Sequence, residues 1–248
     1  MRSWKRKLYD HYQSHRCQAL KLTPFEEVEQ KGPFYKNIIK RHLPGEKNIR
    51  ILDLGCGSGA FLYWAARAGY ACGTGVDGSE EQIARARVLG ISQIVQGDVF
   101  DYLNMLPASS QDVVVAFDVL EHLSRDQVFP FFENCVRVLS KNGRLIIHTL
   151  NGESPFVGRM LFGDLTHEQA FTRFSLGQLA AAAGFADIHF FEDSPIPDSF
   201  KNCIRALLWK AIRAVFIVAV YIETGYLARG NIYSQNIMAV AEASSTIP

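Results

Sequence analysis

A chain of 248 residues is long enough for one large α/β domain with additions, and less readily for two small domains. With 48% hydrophobic and 21% charged residues it sits near the globular average, which excludes disordered, collagen-like and disulfide-scaffold chains. The net charge of +1 is uneven: residues 1–50 hold twelve Lys/Arg against five Asp/Glu, a bias that suits an anionic surface but is too mild for a dedicated nucleic-acid binder.

The opening MRSWKRKLYDHYQSHRC is basic with no apolar run behind it, unlike a secretory signal. The five cysteines (Cys17, Cys56, Cys72, Cys135, Cys203) form no C-x-x-C pair and are odd in number, so a reducing cytoplasm fits better than a disulfide framework or zinc ribbon. Residues 1–48 read as amphipathic helix, closing with Leu43-Pro44-Gly45-Glu46-Lys47. Short apolar runs then alternate with helical stretches. Strands are expected at Arg50–Leu54, Cys72–Val76, Ile94–Gln96, Val113–Phe117, Gly143–Leu150, Ile188–Phe191 and Ile237–Ala241. Helices are expected at Ala60–Ala68, Glu80–Leu89, Asp126–Leu139 and Ser175–Ala183. Such alternation predicts an α/β fold, a Rossmann-like, mostly parallel sheet with helices on both faces. The final strand has no crossover after it and can insert antiparallel, giving seven strands. The expected divisions are an N-terminal helical cap (1–47), a core (48–195 plus 235–244) and a helical insertion (196–234).

The strongest local signal is Ile51-Leu52-Asp53-Leu54-Gly55-Cys56-Gly57-Ser58-Gly59-Ala60, a strand running into three alternating glycines and then a helix. Glycines let the chain turn sharply and let a ligand lie against backbone, and N–H groups at the helix start favour an anionic group. The spacing fits G-x-G-x-x-A, a weak dinucleotide fingerprint. Asp53 argues against a dinucleotide, because a carboxylate at the strand end would repel a pyrophosphate. It would attract a ligand bearing ammonium and sulfonium groups, such as S-adenosyl-L-methionine (SAM). Asp77 ends the second strand, where an acid can bond ribose hydroxyls, with Gly78 beside it. Asp98 follows the third strand and can accept from an adenine amino group, with the Val99 backbone reading the ring.

The pieces LDLGCGSG (52–59), GVDGS (75–79), GDV (97–99), FDVLEHL (117–123) and KNGRLIIHTLN (141–151) together resemble class I SAM-dependent methyltransferases. The resemblance covers roughly residues 35–193 and the last strand. It implies that Asp53, Gly55 and Gly57 hold the methionine end, with Gly59 of the same loop also binding the cofactor, Asp77 the ribose, and Asp98 with Val99 the adenine. Phe117 and Asp118 would border the transferred methyl.

An aliphatic hydroxyl acceptor needs a base during attack, expected in the loops after strands four and five. His167 is the first choice, with Asp164 or Glu168 as an orienting carboxylate; His122 is the second histidine. The plainer readings are that His122 packs as a capping residue, that His167 pins its loop and that Glu121 is solvated. His148, on the fifth strand, reads as a satisfied core histidine. No metal site is expected, since Asp118, Glu121, His122, Asp164, His167 and Glu168 would form one only if the two loops converge. Thr149-Leu150-Asn151 departs from the Thr-Pro-Asn of related chains and leaves the path into the acceptor loop open.

Residues 203–222 read as one helix, with Arg205, Lys210 and Arg213 within an arc of about 140° and Ile204, Leu208, Ile212, Val215 and Ile222 on the other side. Its longest charge-free apolar run, Ala214–Ile222, is nine residues, well short of the roughly 20 that span a bilayer. Such a helix can lie in a membrane interface or pack as a lid on its own domain or on a dimer mate. Residues 151–242 resemble methyltransferases of bacterial surface-polysaccharide clusters, which implies O-methylation of a sugar hydroxyl on a lipid- or nucleotide-linked glycan. The reaction core also resembles ubiquinone-pathway O-methyltransferases, and a phenolic quinone precursor would equally explain the helix. A SAM-binding, membrane-docking protein without catalysis is the third reading. The expected setting is the cytoplasm or the inner membrane face, with no nucleic-acid partner and a homodimer left open.

Overall fold

A computed structural model of the chain describes Leu8, residues 22–226 and residues 230–244. Most of the basic opening stretch, Cys17 and positions 227–229 of the insertion lie outside the described residues.

Helix α1 (Pro24–His42) is started by a capping box: Thr23 accepts from the Glu26 N–H while the Glu26 carboxylate accepts from the Thr23 N–H. It lies on α2 (Ala60–Arg67). Gly32 makes this contact feasible, because a Cβ there would stand 2.9 Å from the Trp64 ring, and the Trp64 indole N–H donates to the Val28 carbonyl at 3.0 Å. Glu27 of α1 also pairs with Arg85 of α3 (Glu80–Val88) at 2.8 Å. Part of the expected cap is thus fixed to the core by packing and by charge.

The strands are β1 (Ile51–Leu54), β2 (Gly73–Asp77), β3 (Ile94–Gln96), β4 (Gln111–Phe117), β5 (Leu139–Leu150), β6 (Phe185–Glu192) and β7 (Asn236–Ala243). They form one sheet in the order β3-β2-β1-β4-β5-β7-β6. Strands β1 to β5 pair in parallel, and β7 runs antiparallel between β5 and β6, as expected from the sequence. Side chains alternate across the central strands. Leu52, Leu54, Val114 and Ala116 face α5 (Arg125–Val138) and α7 (Arg173–Ala183), while Ile51, Val113 and Val115 face α1 and α2. Both faces are covered, which is why these strands read as continuous apolar runs. Two short helices were not anticipated, α4 (Val99–Met105) and α6 (Val157–Leu161).

Helix α8 (Phe200–Thr224) fills most of the expected insertion and has no buried residue. Its inward face carries Trp209, Arg213, Phe216 and Val220. Phe216 meets the rings of Phe156 and Tyr233, and Arg213 lies 3.3 Å from Glu192 and donates to the Asn231 carbonyl. This corrects the expected basic face: Arg213 turns towards the body to pair with an acid of β6. The apolar residues set opposite the cations, among them Leu208, Val215 and Ile222, are exposed, so α8 is not a lid folded apolar side inward.

Candidate functional site

The sheet order reverses between β1 and β4, and the crevice of an open α/β sheet opens at the carboxyl ends of such strands. The glycine loop begins there. Gly55 has φ +67°, and an added Cβ would meet Val119 Cγ2 at 2.5 Å; Gly59, at φ +75°, caps α2 and would meet Ile94 at 2.7 Å. Both positions require glycine. Gly57 also has positive φ but only the flexible Gln82 near it, and its N–H donates to Asp77 Oδ2 at 2.8 Å. The other Asp77 oxygen accepts from the Ser79 N–H at 2.8 Å. Gly78, between them, has room for a Cβ, its nearest neighbour being the Gly97 carbonyl at 3.9 Å.

Asp53 lies in β1, 2% exposed, and its carboxylate makes no hydrogen bond among the described residues. Burial, reinforced by the nearby Asp77, pushes its carboxyl well above the usual range. Asp77 is raised too, by burial, although its two N–H donors oppose this. Two enclosed acids, one of them without a hydrogen-bond donor, make a pocket that is costly by itself and is relieved by a cation. The ammonium of SAM meets that need.

Asp98 caps α4, accepting through Oδ1 from the Phe100 N–H at 2.8 Å, with Val99 as the first helical residue. Phe117 ends β4 and packs against Phe61 and Tyr35, with ring centroids 5.2 and 5.5 Å away. Asp118 follows with a left-handed backbone (φ +57°), fixed by its N–H to the His148 carbonyl. Its carboxylate lies 2.6 Å from His148 Nδ1, and His148 Nε2 lies 3.3 Å from Asp193. Burial alone would lower the imidazole, but the two carboxylates win and push it up to about 10. Solvent reaches Asp118 through the crevice although protein surrounds it. That enclosure favours the neutral acid, yet His148 outweighs it and holds the carboxyl below its usual value. His148 is a satisfied buried histidine, as read from the sequence, but it forms part of the crevice wall.

Sequence reasoning did not single out Phe34 and Tyr35 of α1 or Asp193 beyond β6. Phe34 stands edge-on to His148 at 5.1 Å, and burial together with Asp53 and Asp118 raises the Tyr35 phenol well above its usual value. The adjacent aromatics in PFYKN were the available signal, without anything local to say what they would cover.

The loops after β4 and β5 converge, with the Glu168 N–H donating to the Glu121 carbonyl at 2.7 Å. Glu121 and His122 lie in a 3-10 turn (Leu120–His122) ahead of α5, which Ser124 caps. Glu121 is buried, not solvated. Its carboxylate accepts from the Thr149 hydroxyl at 2.8 Å, and burial with Asp118 nearby raises it to about 8.

The Thr166 hydroxyl lies 2.6 Å from Asp164 Oδ1 and 2.9 Å from His122 Nδ1. A carboxylate only accepts, so Thr166 donates to Asp164 and receives the His122 Nδ1 proton, forming a His–Thr–Asp relay. Burial would raise Asp164, but its bonds from Thr166 prevail and lower it. Asp164 therefore orients His122 through Thr166, which corrects its expected pairing with His167. His167 Nδ1 donates instead to the Met160 carbonyl at 2.9 Å, leaving Nε2 as the acceptor of the neutral ring; the two imidazoles lie 4.8 Å apart. Among the described residues, no group of three or more His, Cys, Asp or Glu is arranged to hold a metal ion. Asn151 donates to the Ile232 and Ser234 carbonyls at 2.8 and 2.9 Å, and this tie fixes the path into the acceptor loop.

Residues 52–147 match the family described as a methyltransferase domain. A ubiquinone biosynthesis O-methyltransferase from Maricaulis maris is 34% identical over 130 residues, 49% of this chain and 50% of that protein. The chain thus spans about half the length of the curated relatives it matches. A SAM-dependent methyltransferase from Archaeoglobus fulgidus has a TM-score of 0.64 at 22% identity, over 85% of this chain and 94% of that one. Phosphoethanolamine N-methyltransferase 2 from Haemonchus contortus, in complex with SAM, has a TM-score of 0.59 at 19% identity, over 85% of this chain and 52% of that one. Such structural likenesses establish the fold. Residues 52–147 thus match a methyltransferase domain, and the chain shares the seven-stranded Rossmann-like fold of solved methyltransferases.

Proposed function

We propose that the whole chain is an O-methyltransferase acting on a phenolic hydroxyl of an acceptor with an apolar body, of the quinone-precursor class. Asp53 would pair with the ammonium of SAM, Asp77 would accept from its ribose and Asp98 from its adenine. The bound cofactor supplies a methyl group on a sulfonium, already a good leaving group. What remains for the protein is alignment, exclusion of water and removal of the acceptor proton. His167 Nε2 would take that proton, its tautomer favoured by the bond from Nδ1 to the Met160 carbonyl. That tautomer supports the oxygen-acceptor reading, because it leaves Nε2 with a lone pair able to accept a proton. The phenolic class is supported by the curated relatives named ubiquinone biosynthesis O-methyltransferases and by the apolar outer face of α8.

A sugar hydroxyl on a lipid- or nucleotide-linked glycan is the second reading. It is favoured by the paired histidines, 4.8 Å apart, since an alcohol depends more on a base than a phenol does. The full chain should be incubated with SAM and either a prenylated catechol or a lipid-linked glycan fraction, with mass spectrometry detecting one added CH₂. Methylation of the catechol supports the first reading and of the glycan the second. Methylation of neither, with SAM bound, would leave a binder without these activities.

A further inference from the structure

We infer that the outer face of α8 is a docking surface for an anionic phospholipid bilayer, on which the helix lies in the plane of the interface. The inference goes beyond the proposed reaction and does not depend on which acceptor is methylated. With Trp209, Arg213, Phe216 and Val220 turned inward, about 160° of helix surface from Ala214 round to Ile212 faces away from the body. This arc is apolar. Leu207, Val215, Val218 and Ile222 on it are each more than half exposed. Cations edge it, Lys210 along one border and Lys201 and Arg205 along the other, all exposed. Between Lys201 and Arg213 the helix has no acid.

The acceptor loop extends the apolar character. Its Phe156 packs on Phe216 of α8, and further along Phe162 and Leu165 are 80% and 77% exposed. An apolar stripe between two cationic borders fits acyl chains below and phosphate headgroups beside it. A second copy of this chain fits less well, because pairing two such faces would set cations against cations, with Glu223 in the last turn as the one acid of the helix. No helix among the described residues is long and apolar enough to cross a membrane, so the contact is lateral.

The test is flotation of the full chain with vesicles of phosphatidylcholine alone or with phosphatidylglycerol added. The wild type should float with the anionic vesicles, less so as salt rises, and little with the neutral ones. The triple variant Leu207→Ser, Val215→Ser, Ile222→Ser should stay at the bottom while keeping the wild-type melting temperature and circular dichroism. These positions are each at least 65% exposed, so a folded control is obtainable. A second variant, Lys201→Glu, Arg205→Glu, Lys210→Glu, should partition at least about tenfold more weakly. Flotation undiminished in both variants would assign binding elsewhere, for instance to the basic residues 1–21, and overturn the inference. Absence of flotation in the wild type would overturn it as well. A wild-type dimer that the serine variant abolishes, without flotation, would give the face to a second copy.

Discussion

Replacing Asp53 by Asn should move ligand affinity and ligand-free stability in opposite directions. Asp53 is buried in β1 beside Asp77, its carboxyl without a hydrogen bond and raised by burial. When SAM binds, the carboxylate pairs with the ammonium. Removing one partner of an enclosed charge pair costs about 2–5 kcal/mol, so Kd should rise at least roughly thirtyfold. Without ligand the same carboxylate is a burden. Because its folded pKa lies above the unfolded value, the folded state is penalised as pH climbs past the ordinary carboxyl value of about 4. Asp53→Asn removes that penalty. The expected gain is on the order of 1 kcal/mol near neutrality, or about 2–4 °C in Tm for a chain of this size, vanishing below about pH 4. Titration calorimetry with SAM and thermal melts from pH 3.5 to 8 measure both arms. Unchanged affinity, or a variant that melts lower than the wild type at pH 7, would refute the reasoning about this acid.

Gly55→Ala should cost about 2–4 kcal/mol, from left-handed strain plus the 2.5 Å overlap with Val119, whereas Gly57→Ala, facing only flexible Gln82, should cost about 1 kcal/mol. Thermal melts of the two proteins rank them, and equal Tm values would contradict the packing described for Gly55. His167→Ala should lower kcat for methyl transfer by about 10²–10⁴ with SAM affinity unchanged, and by less on a phenol than on an alcohol. A kcat within twofold of wild type on both would return His167 to a pin for its loop. The His148 imidazole is pushed up to about 10, so the stability it adds is complete below its ordinary pKa near 6.5 and is lost as pH rises through 10. Melting temperature should therefore fall between pH 7 and 10.5 in the wild type and stay flatter in His148→Gln; parallel curves would count against the ion pair.

Much of this was legible from local pattern. The apolar runs of β1 and β4, the glycines at 55, 57 and 59 and the acids at 53, 77 and 98 are set by backbone geometry and strand period. Both act over a few residues, so the order of elements and the cofactor loop could be read directly. Contacts between distant residues could not be read this way. Nothing near His122 announces that Thr166 will receive its proton, or near His148 that Asp118 and Asp193 will flank it, since these pairs meet only when loops 30 to 45 residues apart converge. Helix α8 shows the same division. Its periodicity marks an apolar side and a cationic side, but which arc turns inward depends on what the body offers. There, Glu192, Phe156 and Tyr233 draw in Arg213 and Phe216 and leave the apolar arc outside. Sequence alone determined the sheet, the glycine turn and its acids, because these follow from short-range sterics and burial. The tertiary structure decided the proton relay, the wall of the crevice and the outward face of α8, because each depends on which distant side chains share a low-dielectric space.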